Sequence, residues 1–245
     1  MAAAAAVPVR TWRGAFAVFV LLELLQVRFA RSATFTIANN CGAGSAPLPT
    51  TGFALAPGES RAVAAPAGWS GRLWGRTLCS ADGGAGRFAC GTGDCGSGDV
   101  ECGGGGAAPP ATLAEFTLDG SGGLDFFDVS LVDGYNLPML VTPLTTSGKC
   151  AATGCAAELN GACPEEGAVA VACKSACGAY GRPEDCCSGD HASPQTCQPS
   201  ASSRFFKAAC PRAYSYAYDD ATSTFTCAAG ATDYAVTFCP AAPTR

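Results

Sequence analysis

"TLAEFTLDGSGGLDFFDVSLVDGYN" (Thr112 to Asn136) carries Glu115, Asp119, Asp125, Asp128 and Asp133 without a single Lys or Arg. Phe116, Leu118, Leu124, Phe126, Phe127, Val129, Leu131 and Val132 supply apolar positions among them. Apolar and polar residues alternate as they do in half-buried strands. The stretch therefore predicts β-structure, and it raises the question of why a strand-forming segment gathers so many carboxylates.

The rest of the chain supports an all-β reading. It has 245 residues, enough for a substantial core, with 31 Gly, 14% charged residues and no sustained 3.6-residue apolar period. Its 16 Cys imply a disulfide framework formed in an oxidising compartment. The N-terminus agrees: Arg10 and Arg13 precede an apolar run from Ala15 to Leu25, and small residues follow before Thr34. This is the pattern of a secretory signal peptide over residues 1–32, with cleavage after Ser32 and Ala30 at the −3 position; a retained signal anchor is the alternative. Cleavage removes four Arg and one Glu and takes the net charge from −5 to −8. A mature chain this acidic has no general attraction to nucleic acid or anionic lipid. No second apolar stretch approaches spanning length, so no membrane span is expected in the mature protein.

Composition divides the chain. Residues 33–76 read as short strands and turns, 77–110 as a Gly-rich loop region punctuated by Cys, and 111–156 as strands again. Residues 157–210 hold seven Cys and few strand signals, as expected of a disulfide-stapled lobe with short helices. "SYAYDD", "TSTFTCA" and "DYAVTFCP" then return as strands across 211–241. Spacing leaves the cysteine pairing open, except that the adjacent Cys186 and Cys187 should not pair with each other, since vicinal closure is strained. Metal and cofactor sites are not expected. His191 is the single His, in a polar loop, and zinc would need reduced thiolates. The same scarcity leaves no basis for a Ser-His-Asp triad.

"GRFACGTGDCGSGDVEC" (Gly86 to Cys102) resembles the signature of the thaumatin-like proteins, the plant pathogenesis-related group that includes thaumatin, osmotin and zeamatin. The resemblance extends from Ala33 to Pro240 through "NNC", "LWGRTLC", "TLAEFTL", "DFFDVSLVDGYNLPM", "SRFFKAACP", "AYSY" and "DDATSTFTC". It implies a flattened β-sandwich core with a disulfide-rich lobe and eight disulfides. These would join Cys41 to Cys239, Cys79 to Cys90, Cys95 to Cys102, Cys150 to Cys227, Cys155 to Cys210, Cys163 to Cys173, Cys177 to Cys186 and Cys187 to Cys197. One departure is visible: Cys41 leads through "GAGSAPLPTTG" directly to "FALAPGES", where the family commonly has a further strand.

The resemblance also implies a use for the carboxylates. Antifungal members line a cleft between core and lobe with one Arg, one Glu and three Asp. Matched by motif these are Arg72, Glu115, Asp128, Asp133 and Asp219. Two carboxyls in unlike environments are what glycoside hydrolysis needs, one protonated to donate and one ionised to attack or to activate water. Glu115 is expected as the acid and Asp128 as its partner, with Tyr135 placed to stack on a sugar or to fill the core. Asp119 and Asp125 have no assigned role and read as solvated acids. The implied function is that of a secreted, apoplastic, monomeric plant defence protein. Its cleft would bind β-1,3-glucan or another fungal cell-wall polysaccharide, with weak endo-β-1,3-glucanase activity left open. The alternative is a non-catalytic carbohydrate-binding module or an inhibitor of foreign hydrolases. Membrane permeabilisation and sweet taste fit the mature charge poorly.

Overall fold

The computed structural model describes residues 33–39, 51–81, 87–164, 168–169 and 171–241, the first and fourth segments by backbone alone. Nine strands form two facing sheets. One is ordered β2 (Ser60–Ala65), β1 (Ala33–Asn39), β13 (Tyr234–Phe238), β8 (Met139–Pro143) and β9 (Thr153–Cys155), antiparallel except for the β1–β13 pair. The other is fully antiparallel, ordered β12 (Phe225–Ala228), β7 (Leu124–Ser130), β6 (Leu113–Gly120) and β3 (Ser70–Trp74). Two small hairpins complete the strands, β4 (Thr77–Ser80) with β5 (Ala89–Thr92) and β10 (Ala168–Val169) with β11 (Ala172–Cys173). Helices α1 (Ala176–Tyr180), α2 (Pro183–Cys186) and α3 (Ala201–Ala209) follow, and α4 (Asp220–Ser223) precedes β12. None of the described helices is long and apolar enough to cross a membrane.

The alternation read from Thr112–Asn136 is realised literally. Along β6, Ala114, Phe116 and Leu118 are buried, while Glu115 and Thr117 face outward; along β7, Asp125, Phe127 and Val129 point inward and Phe126 and Asp128 outward. The sheets meet over an aromatic cluster in which Phe116 and Phe127 lie 5.3 and 5.2 Å from Tyr234 of the opposite sheet, centroid to centroid. Such ring contacts favour tilted and edge-on geometries.

Asp125 departs from the expectation of a solvated acid. It is 2% exposed and accepts hydrogen bonds from the Tyr234 hydroxyl (2.8 Å) and from the Asp119 amide (2.8 Å). The first bond links the two sheets. The second holds Asp119 at φ +50°, where β6 shifts register between Thr117 and Gly120. A buried carboxylate with two donors is a structural group, and its inward side of β7 follows from strand parity.

"SYAYDD" also departs, forming a turn instead of a strand. The Asp219 carboxylate reaches back to the amide and hydroxyl of Ser215 and closes the chain on itself before α4.

The seven disulfides among the described residues follow the pairing implied by the resemblance: Cys79–Cys90, Cys95–Cys102, Cys150–Cys227, Cys155–Cys210, Cys163–Cys173, Cys177–Cys186 and Cys187–Cys197. Cys186 and Cys187 take different partners. Cys41, and with it the Cys41–Cys239 pairing, lies outside the described residues. Cys155–Cys210 fixes the C-terminal end of α3 to β9, so the lobe is bonded to the sandwich as well as within itself.

Two outcomes are expected. Thiol titration of the denatured, unreduced protein should find no reactive cysteine, because no described cysteine is free. Asp125→Ala should cost about 2–4 kcal/mol in denaturant unfolding, since it strands the buried Tyr234 hydroxyl and the part-buried Asp119 amide, whereas Asp119→Asn, whose side chain is exposed on the bulge, should cost little.

Candidate functional site

Strand register assembles the outer face of the four-stranded sheet. Arg72 on β3 lies opposite Glu115 on β6, and Glu115 lies opposite Asp128 on β7. Three residues separated by up to 56 positions of chain thus form one row across neighbouring strands. Directly opposed residues have Cβ atoms roughly 5 Å apart, within reach of one another.

Within the row the two carboxylates differ. Arg72 Nε donates to Glu115 Oε1 at 2.5 Å, with Arg72 well exposed and Glu115 partly covered. This charge-assisted pair engages one of the two Glu115 carboxylate oxygens. Asp128 is more enclosed, and its Oδ1 is buried with no hydrogen-bond partner among the described residues. Burial, the Glu115 charge beside it and, more weakly, Asp220 push its carboxyl up to about 8 against the opposing pull of Arg72. Asp128 is thereby biased toward its neutral form, beside a Glu115 that is paired with Arg72.

The far side of Asp128 is built by the chain after α3. Tyr214 docks beside the end of β7: its amide donates to Val129 O and its carbonyl accepts from the Leu131 amide. Its hydroxyl donates to Asp220 Oδ1 (2.8 Å) and meets the Thr224 hydroxyl. Burial is the main reason the Tyr214 phenol is shifted up. Asp220 is exposed and contributes to the field at Asp128.

Asp219 does not offer a free carboxylate. Besides Ser215 and Thr222 it receives Lys207 Nζ at 2.9 Å. The Lys207 ammonium also donates to Ala213 O and Ser223 Oγ, so all three of its donors are engaged. Asp219 is thus the anchor of the turn, and Asp220 is the acid that the turn presents.

Asp133 sits at the start of the Asp133–Gly134 turn and lines a cavity of about 280 Å³ at the junction with the lobe, with Ser175, Glu184, Phe206 and Tyr216. Gly134 is required there: its φ is +93°, and a Cβ would lie 2.5 Å from Cys173 O. Tyr135 exchanges backbone hydrogen bonds with Cys173 on β11, which locks the turn to the lobe. Tyr135 itself is 0% exposed and donates its hydroxyl to Ala157 O at 2.9 Å. It is a core residue and has no face to offer a sugar. His191 closes a short 3-10 turn, Gly189–His191, with Nδ1 against Thr196 O, and no cluster of His, Cys, Asp and Glu among the described residues is arranged to hold a metal.

The structure thus aligns Arg72, Glu115 and Asp128, puts Asp133 on the adjoining cavity, ties Asp219 into the scaffold and buries Tyr135. Sequence reading missed Tyr214, Asp220 and Thr224. The only signal for them was their closeness to Asp219 in "AYSYAYDDATST", and it could not say which of two adjacent acids turns outward.

Comparison with known proteins agrees with the fold. The Thaumatin family model matches residues 31–240. Thaumatin-like protein 1 of Arabidopsis thaliana is 53% identical, the alignment covering 92% of this chain and 93% of that protein. Pathogenesis-related thaumatin-like protein 3.5 of Cryptomeria japonica is 51% identical (86% and 91% covered). Pathogenesis-related protein 5 of Arabidopsis thaliana is 52% identical (84% and 90% covered). Among solved structures, a laminaripentaose-producing β-1,3-glucanase in complex with laminaritetraose aligns with a TM-score of 0.50 over 84% of this chain and 98% of that one, at 14% identity, a likeness of fold alone. With a family model spanning most of its length and relatives at half identity across nearly their whole chains, this protein belongs to the thaumatin family.

Proposed function

We propose that the protein is a secreted plant defence protein whose outer-sheet row binds β-1,3-glucan or a related fungal cell-wall polysaccharide, acting as a monomer in the apoplast. The observation that carries the reading is the unlike pair Glu115 and Asp128, one ion-paired and one neutral, on directly opposed strand positions. Pathogenesis-related relatives support the defence role.

The same pair supports weak glucan hydrolysis with the roles reversed from the sequence-based expectation. Asp128 holds a proton at neutral pH and can donate it to the leaving glycosidic oxygen. Glu115, ion-paired with Arg72, is the group that can attack the anomeric carbon or activate water. Direct cross-strand pairing fits the short carboxyl separation of retaining hydrolysis, about 5–5.5 Å, better than the wider inverting arrangement. Non-catalytic binding is the second reading. It is favoured by the Arg72–Glu115 ion pair itself, which already engages the oxygen that hydrolysis would use.

Reducing-sugar release and laminarin-oligosaccharide titration separate the two. If the site hydrolyses, Glu115→Gln and Asp128→Asn each lower turnover by at least about tenfold, the ordinary contribution of general acid–base groups, and Asp119→Asn does not. If it only binds, parent and variants show no turnover and the two variants bind more weakly. Asp125→Asn is unsuitable as a control, being buried.

A pH test needs no substrate. The folded state retains the Asp128 proton up to about pH 8, whereas an unfolded chain releases it near pH 4. Between those limits the folded state binds the extra proton, so stability falls as pH rises, by up to about 1.4 kcal/mol per pH unit. Asp128→Asn should remove that slope and raise the melting temperature at pH 8 more than at pH 4. An unchanged slope in the variant would assign it to another group.

A further inference from the structure

The row of Arg72, Glu115 and Asp128 does not end at β7. Antiparallel pairing sets Phe225 on β12 opposite Phe127. Thr224, one residue earlier and still extended (φ −87°, ψ 130°), therefore comes to lie beside Asp128. Directly opposed residues share a face of the sheet, so the row gains a fourth member on its outer surface. At one end stands a cation, Arg72, bonded to Glu115. At the other end Thr224 is tied to an acid.

That acid is Asp220. The Thr224 amide donates to Asp220 O at 3.3 Å, which closes the α4 turn. The Tyr214 hydroxyl bridges the two side chains, donating to Asp220 Oδ1 at 2.8 Å and meeting Thr224 Oγ1. Two hydrogen bonds that share one oxygen keep the Asp220 carboxylate within ~6 Å of the Thr224 hydroxyl. Tyr214 is itself fixed, because its amide and carbonyl bond to Val129 and Leu131 on either side of Ser130. Asp219 cannot take the same part, since its oxygens are engaged by Lys207, Ser215 and Thr222. The turn thus compensates one of two adjacent acids and braces the other, exposed, at the end of the row.

We infer that Asp220, braced by Tyr214 and Thr224, is a positioning residue that acts on Asp128 by charge, and that Arg72 and Asp220 at opposite ends of the row make its two carboxyls unlike. This rests on the reading of Glu115 and Asp128 as the working pair, and it adds what sets their division of labour. The charged and titratable groups that face Asp128 are Glu115 from β6, Arg72 from β3, Tyr214 from the segment after α3 and Asp220 from α4. Burial is the largest cause that disfavours ionised Asp128; Glu115 adds to it, Arg72 opposes it, and Asp220 adds a further push. Of these, the Asp220 charge can be removed with almost no change of volume and without touching the row itself. A general acid must keep its proton while its partner stays ionised. A residue that never meets the sugar thus helps to decide which carboxyl donates.

Carbon-13 NMR titration of the Asp128 carboxyl in the full-length protein tests this without substrate, the resonance being identified by its loss in Asp128→Asn. Asp220→Asn should raise the acid dissociation constant of Asp128 about threefold, the size expected of one exposed like charge in high-dielectric surroundings. Asp220→Glu, which keeps the charge, should titrate close to the parent. Tyr214→Phe, which keeps the ring but releases Asp220, should move Asp128 in the same direction as Asp220→Asn. In about 1 M salt the difference between parent and Asp220→Asn should shrink, because screening there acts over ~3 Å, whereas a packing role would not respond to salt. If Asp220→Asn titrates as the parent does, if Asp220→Glu fails to restore the parent's value, or if the difference survives high salt, the assignment is wrong; if Tyr214→Phe alone titrates as the parent does, the brace is wrong. Reducing-sugar release from laminarin reports separately on the glucan reading. Where the parent hydrolyses, activity on the alkaline side should be lost at lower pH in Asp220→Asn; where it does not, hydrolysis fails and the titration alone decides the role of Asp220.

Discussion

The antiparallel register of β3, β6 and β7 is the constraint on which the site depends. Side chains alternate with period two, so a slip of one residue would carry Arg72, Glu115 and Asp128 together into the interior and bring Phe116 and Phe127 to the surface. Three ionisable groups cannot be buried without partners except at large cost. The aromatic cluster at Tyr234 and the hydrogen bond from Tyr234 to Asp125 reward a single register. Core packing on one side of the sheet thus sets the chemistry on the other.

Alternation in Thr112–Asn136 made the strands and their two faces legible, and the cysteine-rich motifs made the family legible. The row itself could be anticipated only through the resemblance, since nothing local in "GRLWGRT" announces that Arg72 will oppose Glu115. What stayed hidden were properties conferred by distant neighbours. Asp125 and Asp128 are three positions apart on one strand and look alike, yet one reaches Tyr234 in the core and the other is enclosed on the outer face, its Oδ1 without a partner among the described residues. Strand parity separates them, but parity has to be counted from a known inward residue. Tyr135 follows an Asp-Gly turn, a surface signal, and is nevertheless buried because the lobe folds over it through Cys173. The unlike settings of Glu115 and Asp128 have the same origin: ion pairing and burial are set by β3 and by the Tyr214 segment, not by the residues themselves.

The lobe is joined to the sandwich at three kinds of contact. Cys155–Cys210 is covalent, the Tyr135–Cys173 exchange is backbone to backbone, and Lys207 on α3 holds Asp219 by charge. The last matters most for the site, because the turn it anchors places Asp220, held by Tyr214, where its charge acts on Asp128. A lysine ammonium with three acceptors at 2.8–3.1 Å fixes that turn more narrowly than a surface ion pair would.

Because Arg72, Glu115 and Asp128 stand on adjacent strands, the distance between them is inherited from the sheet itself, roughly 4.8 Å per step. Backbone hydrogen bonding maintains that interval, and no loop movement can stretch it. The outer face therefore works as a graduated rule: the intervals are fixed, and only the marks on it, the side chains, can be exchanged. New specificities on this scaffold would arise by re-lettering positions along the rows, with the sandwich beneath left as it is.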